Sequence, residues 1–358
     1  MHAIRPTTSP ENDWSQRLLR HRSSPTVGLS PATQAALDAL RTGLAESELT
    51  TEVRTQCLCG SPQLDPVART DRHGLSFGAV LCRACGLLQQ DKILDEDARC
   101  TFRARFARAL APMHPAFEPR YEHLDLLVAG RKGLRIAHIS LENGAASVER
   151  LQTKHPTAQI HSFSSAEELK STFDVIVIES FDFEPDPMAV IAKARGHLNL
   201  GLYLVLDGLF SLHERRDLWF DYLRFRHVGR PYEFDLTTLT HAMQRAGFSL
   251  LAGDERIEAA FTEGSHPRPN GGDTALHADK VAAYLSFCEM ARDYWTDREL
   301  EHQEMLAKLA AAAQAVRSAE EAQGDLEAKL KRMEDSTSWK VTSALRGATS
   351  VAKRLRRK

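Results

Sequence analysis

Between residues 134 and 251, short apolar runs alternate with stretches in which apolar side chains recur every three or four positions. The runs at 134–139, 159–163, 173–178, 201–206 and 248–251 predict strands. F-D-V-I-V-I at 173–178 and G-L-Y-L-V-L at 201–206 are almost continuously apolar, as in strands covered on both faces of a parallel sheet. A small-residue turn after the first run leads into a helix through Lys154. Stretches 188–198 and 236–246 predict two more helices, the last stopped by Gly247. Strands alternating with helices predict a doubly wound, mainly parallel α/β sheet.

The flanks carry other periods. Ser30-Pro31 reads as a helix cap followed by a first-turn proline, predicting a helix to about Leu44. From Asp95 to Leu127 the pattern is helical, with Phe102, Phe106 and Leu110 four apart. Beyond 275 the chain predicts long helix. From Met305 the apolar positions step by four and three through Leu309, Ala312, Val316, Ala319, Gln323, Leu326, Leu330 and Met333. Four heptads suffice for a coiled coil, so residues 305–333 are expected either to pair a homo-oligomer or to form one long helix packed on the body. Val341, Leu345, Ala348, Val351 and Leu355 then share a helical face opposite basic residues. Such a helix suits an anionic membrane surface or a partner enzyme, and a solvated terminus is the alternative.

Charge sharpens that last point. Trp339 to Lys358 holds seven basic residues and no acid, so the net −2 of the chain conceals a body at −9. No run of eighteen apolar residues exists, and the first residues lack the apolar stretch of a signal peptide, which predicts a cytoplasmic protein, with the basic tail able to reach the inner membrane surface. No phosphate loop of the G-x-x-x-x-G-K type, serine nucleophile elbow or nucleic-acid-reading module occurs, and no nucleic-acid partner is expected.

Six cysteines are present, four of them in two tight pairs: Cys57 and Cys59 in C-L-C-G, then Cys82 and Cys85 in C-R-A-C-G. Two such pairs can close an all-sulfur tetrahedral zinc site, with Gly60 and Gly86 letting backbone N–H groups turn towards sulfur. A closed four-sulfur site leaves no position for water and would be structural. Four reduced, unliganded thiols are the other reading.

The module C-L-C-G-S (57–61), D-R-H-G (71–74) and L-C-R-A-C-G-L-L-Q (81–89), with F-D-V-I-V-I, P-D-P (185–187), G-L-Y-L-V-L, P-Y-E-F (231–234) and A-G-F (246–248), resembles class I S-adenosylmethionine-dependent methyltransferases. The likeness is to members with an N-terminal zinc-binding domain, sugar C-methyltransferases among them, and covers roughly 52–260. It implies a Rossmann-like methyltransferase sheet, with zinc and S-adenosylmethionine as cofactors. Residues 336–346 are similar to a tail found on enzymes of bacterial surface-polysaccharide assembly. The expected organisation is therefore a disordered leader (1–30), an N-terminal helix and zinc module (31–95), connecting helices (96–128), a methyltransferase-like domain (129–275), a long helix or coiled coil (276–335) and a basic amphipathic tail (336–358).

At the cofactor site the pattern departs from the resemblance. Anchoring the glycine-rich turn on Gly144 puts Ser140, Glu142 and Gly144 at the three glycine positions and His138 where an acid is expected. Glu142 would add bulk and like charge beside the cofactor's carboxylate. No acid stands at 162–165 to hold ribose hydroxyls, Glu167 and Glu168 coming later, and Phe183 replaces a histidine. No catalytic residue is assigned. His138 reads as a structural histidine. Glu179, Asp182 and Glu184 fall on loops at the mouth of the expected cleft, and His213, Glu214, His227 and Tyr232 are further cleft candidates. The sequence thus predicts a scaffold that has lost methyl transfer and acts as an adaptor, with an active methyltransferase on a sugar nucleotide or glycan as the alternative.

Overall fold

The structure is a computed structural model that describes residues 14–21, 24–110, 119–140, 144–179, 181–214, 218, 220–264, 271–336 and 342. Two compact units divide at residue 292.

The first unit begins with α1 (Trp14–Arg20), inside the segment expected to be leader; its Leu18 is fully buried and its Arg17 pairs with Asp221 at 2.7 Å. α2 (Pro31–Ala45) starts where the cap predicts, the Ser30 hydroxyl accepting from the Thr33 amide. Short strands follow: β1 (Thr51–Val53), β2 (Leu64–Ala68), β3 (Ala79–Cys82), β4 (Leu88–Gln90) and β5 (Lys92–Leu94). Asp95 caps α3 (Glu96–Arg105), and α4 (Ala107–Leu110) and α5 (Asp125–Val128) lead to the large sheet.

That sheet is built from β6 (Arg135–Ile139), α6 (Ala145–Lys154), β7 (Gln159–Phe163), β8 (Phe173–Glu179), α7 (Pro187–Arg195) and β9 (Leu198–Val205). After α8 (Tyr222–Phe225), β10 (Tyr232–Glu233) and α9 (Leu236–Arg245), it is completed by β11 (Phe248–Gly253) and β12 (Glu258–Glu263). The strand order is β11-β12-β9-β8-β6-β7, with β9, β8, β6 and β7 parallel and β12 antiparallel to both neighbours. This is a doubly wound, mostly parallel α/β sheet. Leu198, expected to end a helix, instead opens β9, because Gly196 closes α7. The pattern reading passes over β12, a central strand flanked by glutamates, whose Glu258 is buried by accepting the Tyr203 hydroxyl at 2.8 Å.

The cysteine module does not stand apart. Its small sheet runs β10-β4-β3-β2, so one edge strand comes from beyond β9. The joint is fastened by Arg226, which has no exposed surface. Its guanidinium lies 3.1 Å from Glu233 and donates to the carbonyls of Thr70 (2.7 Å) and Gly78 (2.9 Å), while Tyr222 donates to the other Glu233 oxygen. Asp71, of the D-R-H-G run, accepts from the amides of His73, Leu75 and Val228. The run is a fastener rather than a chemical motif.

α10 (Gly271–Asp335) crosses the unit boundary as one element. In the first unit its Ala278, Val281, Leu285 and Cys288 are buried. In the second unit, Leu309, Val316, Leu326, Leu330 and Met333 of the heptad seam are all exposed. Apart from Ser336 and Thr342, the basic tail lies outside the described residues. Among the described residues, no helix is long and apolar enough to cross a membrane.

Removing one partner from a buried ion pair leaves the other charge uncompensated, at a cost of roughly 3–5 kcal/mol. Glu233→Ala should lower the unfolding free energy by an amount of that order. A urea titration reads it, and a loss below about 1 kcal/mol would contradict the fastening role of Arg226.

Candidate functional site

Two places carry chemistry: the cysteine cluster, and the carboxyl edge of the large sheet. In the cluster the four Sγ atoms of Cys57, Cys59, Cys82 and Cys85 lie within 4.8 Å of one another, with Cys57 to Cys85 and Cys59 to Cys82 both at 3.6 Å. A tetrahedral zinc with sulfur at about 2.3 Å requires sulfurs about 3.8 Å apart. The knuckles are formed as expected. Gly60 (φ +88°) and Gly86 (φ +82°) turn the chain left-handed, and the amides of Ser61, Ala84 and Leu87 face the sulfurs. The C-x-C spacing closes because the Gly60 amide donates to the Cys57 carbonyl and the Cys57 amide to that of Ser61. Thiols this close cannot all ionise alone. Hydrogen bonding from Cys57 pulls Cys82 down to about 7 and Cys59 below the usual thiol range, while the contact with Cys59 pushes Cys57 up. A divalent soft-ligand cation resolves that conflict, and the donor set fits zinc.

At the sheet's carboxyl edge the strand order reverses between β6 and β8, because the chain runs outward from β6 to β7 and then crosses back to β8 on the other side of β6. In doubly wound sheets ligands bind in the crevice outside this switch point. The residues there are His138 and Ser140 from β6 and its exit, Gly144 at the start of α6, and Glu179 at the end of β8. Glu142 lies outside the described residues.

His138 is fully buried, and its Nε2 lies 3.1 Å from Glu179 Oε1. The same carboxylate accepts the Tyr121 hydroxyl at 2.5 Å and the Ser147 hydroxyl at 2.9 Å. Ser147 belongs to the first turn of α6, where backbone N–H groups favour an anion. Burial pushes the Glu179 carboxyl up, but His138, Tyr121 and Ser147 outweigh it and hold it below the usual range. Gly144 packs on the imidazole so tightly that a Cβ there would lie 2.7 Å from His138 Cε1. The Ser140 amide donates to the Phe163 carbonyl, and its side chain is nearly buried. His138, Ser140 and Gly144 are therefore close together, beside an internal carboxylate, and the expectation for Glu142 lies outside the described residues.

One expectation is corrected. No acid stands in 162–165, yet a short 3-10 turn (Ala166–Glu168) folds Glu168 back so that it accepts the Ser164 amide at 3.1 Å and the Ser164 hydroxyl at 2.5 Å. An exposed carboxylate does reach the end of β7. Glu167 points elsewhere, 3.1 Å from Lys193.

The other cleft candidates divide. His227 donates from Nε2 to the Leu110 carbonyl and accepts the Gly229 amide at Nδ1, and burial holds its pKa well below the usual value. The Tyr232 hydroxyl donates to the Pro185 carbonyl, with Arg54 over its ring, and Glu184 lies 3.6 Å from Arg103. These are structural positions. The side chains of His213 and Glu214 lie outside the described residues. Phe183 is half-buried beneath Arg230. Asp182 is almost fully buried 2.8 Å from Arg230, whose guanidinium also lies over Phe225. Burial outweighs the arginine and pushes the Asp182 carboxyl up to about 6. The composition gave no signal for Arg230 or Tyr121, because neither lies in a motif.

No protein-family model matches the chain, and no curated protein matches it. Solved structures similar to it include several methyltransferases. An O-methyltransferase family protein from Burkholderia thailandensis is 12% identical over 65% of this chain and 70% of its own, with a TM-score of 0.30. The plantazolicin methyltransferase in complex with SAH is 14% identical over 53% and 85%, with a TM-score of 0.30. The magnesium protoporphyrin IX methyltransferase of Synechocystis PCC 6803, with bound SAH, is 11% identical over 39% and 78%, with a TM-score of 0.26. At that distance the description of the fold rests on the strand order.

Two outcomes follow. Gly144→Ala should destabilise by about 1–3 kcal/mol through overpacking against His138. His138→Ala in the same chain should restore part of that loss; additive losses in urea titrations would show that the ring and the turn are not in contact. Asp182 has a folded pKa above the 3.8 of the free side chain. Its contribution is therefore full below about pH 4 and is lost as pH rises through about 6, a change on the order of 3 kcal/mol. Asp182→Asn should remove that slope from stability measured at pH 4, 5, 6 and 7; an unchanged slope assigns it elsewhere.

Proposed function

We propose that this chain is a methyltransferase-fold protein whose cofactor crevice is filled by its own side chains, and that it serves as a zinc-stapled adaptor. The observation that carries this reading is the carboxylate of Glu179, held at the first turn of α6 by His138, Tyr121 and Ser147. An anionic group occupies the helix end where S-adenosylmethionine would need backbone donors, and His138 fills the space beneath Gly144. The described residues at this turn do not fit that cofactor. Zinc, held by Cys57, Cys59, Cys82 and Cys85, would be structural, since four sulfurs complete its coordination.

The adaptor role draws on the rest of the chain. The exposed seam at 305–333 suits self-association, at modest strength because alanines and Gln323 interrupt it. The basic tail, 336–358, suits an anionic membrane surface or a partner enzyme, and its resemblance to tails of surface-polysaccharide enzymes supports that pathway as its setting. The protein would work in the cytoplasm, at the inner membrane face.

A second reading has one observation in its favour. Glu168 brings a carboxylate to the tip of β7, where a ribose could be held. An active methyltransferase acting on a sugar nucleotide or glycan would use it. Calorimetry separates the two. S-adenosylhomocysteine titrated to millimolar concentration should give no binding heat, and a dissociation constant in the micromolar range would return the chain to the enzymes.

A further inference from the structure

The second knuckle, C-R-A-C-G, does more than close the cysteine cluster: the base of α10 stands on it. Gly86 approaches α10 so closely that a Cβ there would lie 2.7 Å from His277 Cδ2 and 3.2 Å from the Ala278 amide nitrogen. Arg83, between the two cysteines, reaches Asp279 at 3.5 Å. Leu81 and Leu88, on either side of the knuckle, share one buried cluster with Val281, Leu285 and Cys288. His277 is itself nearly buried and holds the Asp235 carboxylate at 3.0 Å, and Asp235 caps α9. The path from the sulfur cluster to α10 therefore consists of direct contacts.

From these contacts we infer that metal binding at the four cysteines anchors the base of α10 to the body, so that loss of the ion releases this helix before the large sheet unfolds. The inference rests on the zinc reading above. Without an ion, four thiols at these separations are not held at tetrahedral spacing, and the left-handed turn at Gly86 keeps only its backbone bonds, from the Gly86 amide to the Cys82 carbonyl at 2.8 Å and from the Cys82 amide to the Leu87 carbonyl at 3.0 Å. The Gly86–His277 contact needs that turn, because no other residue type fits it. By contrast, β8 lies at the centre of the sheet, hydrogen-bonded on both sides, and has its own apolar cover on either face.

The test uses the full chain. Metal analysis of the purified protein should first give one zinc per chain; a metal-free protein would sink the zinc reading and this inference with it. Hydrogen exchange is then followed in residues 276–289 and 173–179 before and after a zinc chelator. Exchange in 276–289 should rise at least about tenfold while 173–179 stays protected. Unchanged exchange in 276–289 from protein shown to have lost its zinc overturns the inference and leaves the zinc reading standing. If chelation exposes both segments, His277→Ala decides. Coupling is reciprocal, so freeing the helix must weaken zinc binding, by roughly tenfold in competition with a chromophoric chelator. Affinity equal to that of the unaltered chain overturns the inference.

Discussion

Burying a guanidinium costs several kcal/mol unless its donors are met inside the protein, and Arg226 meets that condition only where two parts of the chain come together. Its partners are Glu233, from the strand that joins the small sheet, and the carbonyls of Thr70 and Gly78 from the cysteine module. Neither part satisfies it alone. The module, with strands of three to five residues, has too little apolar surface to close a core. It borrows β10 as an edge strand, and its cysteines and Leu87 pack in the same cluster as Ile139, Phe181 and Phe234 of the α/β region. The sulfur cluster and the carboxyl edge of the large sheet are therefore fixed relative to each other by a buried charge.

That arrangement explains which features the chain disclosed in advance. Strands β6, β7 and β8 and the knuckle glycines were legible because apolar period and metal-ligand spacing are local properties. β10 was not, because two residues become a strand only when the module offers them an edge. Nor was β12, whose burial of Glu258 depends on a tyrosine 55 positions away. In the crevice, His138 was readable as a structural histidine from its apolar strand, but its partner was not. Glu179 stood out only as an acid on a loop, and Tyr121 and Ser147 had no motif to announce them. Glu168 reversed an expectation because a 3-10 turn shortens the distance that sequence separation suggests.

The two acids at the carboxyl edge differ in a way that bears on function. Glu179 is held ionised by three partners, whereas Asp182 is pushed towards its neutral form although Arg230 lies 2.8 Å away. The difference follows from depth and from donors together, since Asp182 is the more completely buried of the two and burial dominates there. Two hydroxyls donating to Glu179, with the His138 ring 3.1 Å away, replace the water it lost, and the guanidinium beside Asp182 is divided between that carboxylate, Asp207 at 3.6 Å and the faces of two phenylalanines. A crevice built to receive a ligand keeps donors free for it. Here, among the described residues, the hydroxyls of Tyr121 and Ser147 are engaged with Glu179.

The strength of that engagement can be set against what a cofactor would have to displace. Each hydrogen bond to a buried carboxylate is worth about 1.5–3 kcal/mol, and Glu179 receives two from hydroxyls with His138 in contact besides. Opening the crevice would forfeit on the order of 5 kcal/mol unless the ligand restored those contacts. Because 1.4 kcal/mol is tenfold in affinity, a ligand that would otherwise bind at micromolar concentration is moved to roughly millimolar or weaker. On the reading proposed above, S-adenosylmethionine would not restore them, since its own carboxylate would compete for the same donors and be repelled by the same acid, and enlarging the turn without removing Glu179 would leave that obstacle in place.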